Sequence, residues 1–322
     1  MGIELEPGQI AMRCNLVTVV DGVMVSYSSG NIPTAEAEGL VRALNQELGD
    51  GRLEFHPGVS FRHILTVRDA TSLLDTEFTP PHDVTDKAVA DYQPKGPGAE
   101  LVRELTERSK VVLAEHPINT ARVARGEPPV TQIWLFWPGA RPDTLPEFSE
   151  ENGGRKAALT SAVDLLRGLA LQTGVDVLHI DGVTDGRDND YAAQMAGGLA
   201  ALEDHDLVFV HVEAPDEAGH AGDVEGKVRA VEQIDALMVP QLASQNLAER
   251  YRWAREHELK VLVLPDHPTP LELKTHVAEP VPFVMWGPGF EPNGARAFTE
   301  KEAQATGFAV APGHLLLSRF LR

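Results

Sequence analysis

With 322 residues, 43% hydrophobic and 24% charged, the chain can bury a large core, and its length suggests about two domains. The 28 Lys+Arg against 48 Asp+Glu leave a formal charge of -20, which repels nucleic-acid backbones and anionic membrane surfaces and excludes both as expected partners. The single Cys14 excludes an internal disulfide and reads as a small buried hydrophobe in a reducing compartment. The N-terminus lacks a basic flank and an apolar signal core, and no apolar run approaches the roughly 18 residues that span a bilayer, so a cytoplasmic protein is expected.

In chain order, residues 13–25 alternate and are rich in Val and Thr, with Asp21-Gly22 as a hairpin turn. Residues 34–48 predict a helix: Thr34 is a candidate cap, and Ala37, Leu40, Val41, Leu44 and Leu48 repeat on one face. A strand over 61–67 completes a mixed α/β unit. The breakers between 76 and 97 predict a long loop of the kind that carries function. A helix over 99–114 and a buried strand over 132–137 follow. The Pro/Gly-rich connection up to about Gly154 then predicts a boundary between domains 1–145 and 146–322.

Beyond it, helix and strand patterns alternate. Helices are expected over 156–173, 191–203, 224–242 and 247–258, and apolar strands over 175–181, 207–212, 260–264 and 281–286. Strands buried on both faces read as continuous Val/Leu/Ile runs, which predicts a doubly wound parallel sheet.

Three clusters of ligating side chains follow those strands. A polar loop after 207–212 holds Asp216, Glu217 and His220; Asp266-His267 follows the next strand; His276 comes shortly after. Open α/β sheets place ligand sites beyond the carboxyl ends of strands, so the clusters should converge. Asp216, His220, Asp266, His267 and His276 supply carboxylate and imidazole without thiolate, which suits Zn, Mn or Fe(II). Five such groups exceed the needs of one tetrahedral ion and favour a two-metal centre that clamps a phosphoryl group. The bland alternative is a set of capping carboxylates and hydrogen-bonded loop histidines.

His-Val-Glu-Ala-Pro-Asp-Glu-Ala-Gly-His at 211–220, Pro-Asp-His-Pro-Thr-Pro at 265–270 and Thr-His-Val-Ala-Glu-Pro-Val-Pro-Phe at 275–283 resemble the archaeal-type cofactor-independent phosphoglycerate mutases of the alkaline phosphatase superfamily. The likeness extends to Arg13-Cys14-Asn15-Leu16-Val17-Thr18, Pro57-Gly58-Val59-Ser60-Phe61-Arg62-His63, Pro81-His82-Asp83, Lys95-Gly96-Pro97-Gly98 and His116-Pro117-Ile118-Asn119. The resemblance implies an alkaline-phosphatase-like α/β domain with a smaller inserted α/β domain. It further implies two divalent ions (Mn or Zn), no 2,3-bisphosphoglycerate, a phosphoserine intermediate, and a small phosphoglycerate substrate exchanged between its 3- and 2-phospho forms. By position, Asp216, His220 and His276 would hold one ion, and Asp266 and His267 the other. Arg13, Arg62, Arg122 and Arg141 are the expected grips on carboxylate and phosphate, and His63 or His82 the expected proton carriers.

Two departures stand against that pattern. The family's opening segment, with a metal-binding Asp and a nucleophilic Ser, finds no counterpart, and Ser26, Ser28 and Ser29 lie in the wrong context to replace it. Either a misplaced start or a paralogue without catalysis is expected. Gln194 also stands where the family tends to carry Lys, removing a charge-assisted bond to phosphate. A related phosphotransferase such as a homoserine kinase, a phosphatase, or a non-catalytic metal-binding remnant are the alternatives. The oligomeric state is not legible.

Overall fold

A computed structural model describes residues 1–142, 145–242 and 246–322. It divides into two compact units, Met1–Asp143 and Thr144–Arg322. Asp143 and Thr144, within the predicted connection, lie outside the described residues.

The first unit is built on β1 (Gln9–Val20), whose 12 residues carry the alternation seen in the sequence. It turns at Asp21-Gly22, both at positive φ, into β2 (Val23–Ser26). Helix α1 (Thr34–Leu48) buries the five predicted apolar positions. Thr34 does not cap it; its hydroxyl accepts the Ser60 N–H instead, tying α1 to the start of the next hairpin. β3 (Leu53–His56), β4 (Arg62–Arg68), α2 (Ala99–Ala114), α3 (Pro117–Ala124) and β5 (Gln132–Ala140) complete the unit. Strand β1 pairs antiparallel with β2, β4 and β5, and β3 extends the sheet beyond β4.

Strand alternation then sorts the side chains. Ile10, Met12, Cys14 and Leu16 of β1 face α1 and α2 in one core with Leu65, Val67, Ile133 and Leu135. The opposite face carries Val17, Trp134 and Phe136, packed against Val84, Phe78, Val89 and Tyr92. The predicted long loop therefore covers a sheet face. Its backbone is pinned to the β2 hairpin by bonds such as Met24 N–H to Lys87 O and Val89 N–H to Gly22 O, and it contains short 3₁₀ turns at Pro81–Val84 and Val89–Tyr92.

The second unit opens with α4 (Phe148–Glu151). The window 156–173, expected to be one helix, is instead β6 (Ala157–Thr160) followed by α5 (Asp164–Gln172). Ala and Leu favour a helix by propensity, but all four β6 residues are buried and paired with β8, and Ala158 and Leu159 pair with β7 as well, which overrides it. β7 (Asp176–Val177), β6 and β8 (Leu207–Val210) form a parallel three-stranded sheet in the order β7-β6-β8. Ala170 of α5 packs with Leu159 and Phe209 on one face. α6 (Tyr191–Ala201) lies against β8 on the other, so closely that a Cβ on Gly198 would sit 2.9 Å from Val210 Cγ2. β9 (Val261–Val263) and β10 (Val284–Trp286) pair antiparallel as a separate ladder rather than as members of the parallel sheet. Among the described residues, no helix is long and apolar enough to cross a membrane.

Candidate metal centre and its surroundings

The segment after β8 is helical, not the expected loop: α7 (Ala214–Ala221) carries Pro215 in its first turn and ends at Gly222 with φ 69°. Proline in a first turn and glycine just past a last turn are helix start and stop signals. The helix sets Asp216 and His220 one turn apart on one face. His220 Nε2 lies 3.2 Å from Asp216 Oδ2. α8 (Val224–Gln233) follows, its Asp223 side chain accepting the Gly226 N–H as a cap.

His276 arrives from the loop after β9. Lys274 at φ 54°, with its N–H bonded to Pro270 O, and the Val277 N–H to Pro268 O bond fold that loop back on itself. His276 Nε2 thereby comes 3.5 Å from Asp216 Oδ1 and 3.0 Å from His220 Nε2. Ligand atoms of Asp216, His220 and His276 all lie within 4.8 Å of one another. His267 joins their edge, its Nδ1 4.0 Å from Asp216 Oδ1 and its ring 3.8 Å from that of His276, centroid to centroid. Exposed Asp266 reaches His267, with Oδ2 3.2 Å from Nε2.

The supporting partners were not legible in the sequence. His220 Nδ1 bonds the Lys274 carbonyl at 2.9 Å, so it donates there, which leaves Nε2 as the ring atom turned to the cluster. Thr269 donates its hydroxyl to Asp216 Oδ1, and Lys227 Nζ holds the Thr269 carbonyl at 2.7 Å. Burial opposes ionisation of Asp216, but the bonds from His220 and Thr269 outweigh it and hold the carboxyl well below the usual range. His220, bonded to that carboxylate, is raised to about 9 against its burial. His276 is lowered, by burial first and then by His267.

Behind the cluster runs a second polar chain. Ser161 Oγ accepts the Val163 N–H and lies 3.1 Å from His211 Nδ1, and His211 Nε2 faces Glu213 at 3.4 Å. Gln194, 1% exposed, donates to the His211 carbonyl and Thr160 Oγ1 and accepts from Asn189.

The first unit's candidates separate by sheet face. Arg13 and Arg62 share one face, stacked over Phe136 and Phe61 at 5.3 and 4.7 Å. His82 meets the Tyr27 and Trp137 rings at 6.4 and 6.2 Å. His63, paired with Cys14, is on the opposite, helix-covered face and 1% exposed. Arg122, also 1% exposed, is committed to Glu36 at 2.7 Å, Glu127 at 3.4 Å and the carbonyls of Pro128 and Ser29. Arg141 is exposed at the end of the unit.

Fold and cluster together define a mixed α/β protein with a carboxylate–imidazole ligand set. A family model described as 2,3-bisphosphoglycerate-independent phosphoglycerate mutase matches residues 1–119. The enzyme of that name from Methanosarcina barkeri is 39% identical over 94% of this chain and 74% of its own length. That of Methanothrix thermoacetophila is 39% identical over 98% and 78%. A Geobacter sulfurreducens protein named a probable enzyme of the same kind is 39% identical over 100% and 79%. Among solved structures, a Pyrococcus horikoshii protein superposes with TM-score 0.68 at 24% identity, over 94% of this chain and 70% of that one. The cofactor-independent phosphoglycerate mutase of Thermoplasma acidophilum superposes with TM-score 0.50 at 23% identity, over 96% and 75%. The chain belongs to the 2,3-bisphosphoglycerate-independent phosphoglycerate mutase family.

Proposed function

We propose that the chain interconverts 3-phosphoglycerate and 2-phosphoglycerate in the cytoplasm without 2,3-bisphosphoglycerate; the phosphoserine that the family resemblance implies is assigned to no residue of this chain. On this reading residues 146–322 form an alkaline-phosphatase-like metal-binding domain and residues 1–145 a substrate-gripping one. The observation that carries it is the convergence of Asp216, His220 and His276 within 4.8 Å in a member of this family.

The residues fit a divalent ion such as Mn or Zn: one low-pKa carboxylate, and an imidazole whose other nitrogen is spent on a carbonyl. Asp216, His220 and His276 would hold one ion, and Asp266 with His267 a second. Bound there, the ions would lower the pKa of a hydroxyl nucleophile and offset phosphoryl charge. Thr269 and Lys274 fix Asp216 and His220 in the ligating orientation. Arg13 and Arg62, on one sheet face, bind the substrate's carboxylate and phosphate by charge-assisted bonds, and His82 beside them is the candidate proton carrier. His63 and Arg122 serve the first unit's packing.

Gln194 favours a second reading, metal binding without turnover, because its amide is wholly spent on Thr160, His211 and Asn189. The test is metal stoichiometry after desalting, with conversion of 3-phosphoglycerate coupled to enolase in added Mn. Wild type should retain metal and convert substrate, and His220→Ala and His276→Ala should lose both. Metal retention without conversion selects the second reading; unchanged metal content in both variants removes the site.

A further inference from the structure

The Arg13–Arg62 face of the first unit's sheet carries two residues whose conformations the fold alone leaves unexplained. Asn15 is two positions from Arg13 on β1 and directly opposite Arg62 on β4, so the three side chains share that face. It is 2% exposed, its amide nitrogen reaches the Tyr27 carbonyl at only 3.5 Å, and its Oδ1 is buried without a hydrogen-bond partner. A buried carbonyl acceptor with no donor is costly, and such groups concentrate where a ligand completes them.

Trp137 is the second. Arg13 pairs with Phe136 and Ala11 with Gly139, so Trp137 and Pro138 together oppose Met12 alone: a β-bulge. Trp137 sits in the bulge at φ 46°, a left-handed conformation unfavourable for a bulky side chain. Simple alternation would send it, as the residue after Phe136, toward the helix-covered core. The bulge turns it instead to His82 and leaves it 54% exposed.

We propose that Asn15 and Trp137 are specificity-determining residues of the phosphoglycerate grip. Asn15 Oδ1 accepts the hydrogen of the substrate's hydroxyl while Arg13 and Arg62 take its anionic groups, and the Trp137 ring covers its carbon skeleton. The inference rests on the mutase reading and adds what that reading lacks, a group that recognises the one neutral polar atom of the substrate. Arg13 and Arg62, both half-buried, flank Asn15 on that face. A buried acceptor discriminates strongly, because a ligand without the hydroxyl leaves it unpaired.

The test is calorimetric titration of the full chain with 3-phosphoglycerate and with 3-phosphopropionate, which lacks the hydroxyl. Wild type should bind 3-phosphoglycerate roughly tenfold to a hundredfold more tightly. Asn15→Leu, and Asn15→Ser should the first variant fold poorly, should bring the two affinities within about twofold by weakening 3-phosphoglycerate alone. Tryptophan emission should shift on binding and should not shift in Trp137→Phe. Equal wild-type affinities, which need no variant to observe, overturn the role of Asn15, and an unchanged emission shift in Trp137→Phe overturns that of Trp137. Binding of neither compound removes the mutase reading and this inference with it, a distinct outcome from tight but indifferent binding.

Discussion

His63 lies beside Cys14 on the helix-covered face of the first sheet, where its Nδ1 accepts the Gly58 N–H and burial, opposed by a bond at Ser60, lowers its pKa to about 4. The same surroundings push the Cys14 thiol up to about 12, which leaves it an unreactive hydrophobe. His63 is therefore neutral in the folded chain at pH values where the unfolded chain, with imidazole at its ordinary value of 6.5, binds a proton. Stability is full above about pH 6.5 and falls toward pH 4, by up to about 1.4 kcal/mol per unit. His63→Gln should flatten that part of the curve relative to wild type in urea melts at stepped pH. A parallel pair of curves would mean that His63 is not buried in its neutral form. The motif around it, Pro57 to His63, pointed to chemistry through its resemblance to the mutase family, which put Arg62 and His63 together as candidates. Strand geometry separates them: Arg62 and His63 point to opposite faces.

Helix α7 decides whether Asp216 and His220, the proposed metal ligands, meet. Gly219 lies within it against the loop that holds Thr269; a Cβ there would stand 2.8 Å from the Thr269 carbonyl oxygen and 2.9 Å from its Cγ2. In an exposed helix Gly→Ala gains about 1 kcal/mol, but here the backbone carbonyl cannot give way, and overpacking of this kind costs about 1–3 kcal/mol. Gly219→Ala should therefore lower stability and weaken Mn binding roughly tenfold, because Thr269 is drawn off Asp216. Increased stability with unchanged Mn affinity would show that α7 and that loop are not packed this closely. The spacing of Asp216 and His220 was legible, yet its meaning depended on helix: four residues apart in a loop fix no distance, whereas one turn of helix fixes a common face. Thr269 and Lys274 gave no sequence signal, since one acts through a hydroxyl common in any loop and the other through its backbone carbonyl.

At the scale of the whole molecule, the charge of -20 is a repulsion that folding must overcome. Raising salt from about 0.01 M to about 0.15 M shortens the screening length from about 30 Å to about 8 Å. The melting temperature should rise over that range, and a fall would mean that favourable ion pairs outweigh the general repulsion. The amino-acid sequence by itself determined the mixed α/β class and the apolar face of α1, and it singled out Asp216, His220 and His276, which the fold brings together. Each of these depends on composition, local periodicity or long composite motifs. Tertiary structure alone decided that residues 157–160 form a strand, that β9 and β10 stand apart from the parallel sheet, and that His63 and Arg122 are buried in packing. It also decided that Asn15 and a bulged Trp137 share a face with Arg13 and Arg62. The physical reason is that pairing partners and sheet faces are set by contacts between residues far apart in the chain, which no local pattern encodes.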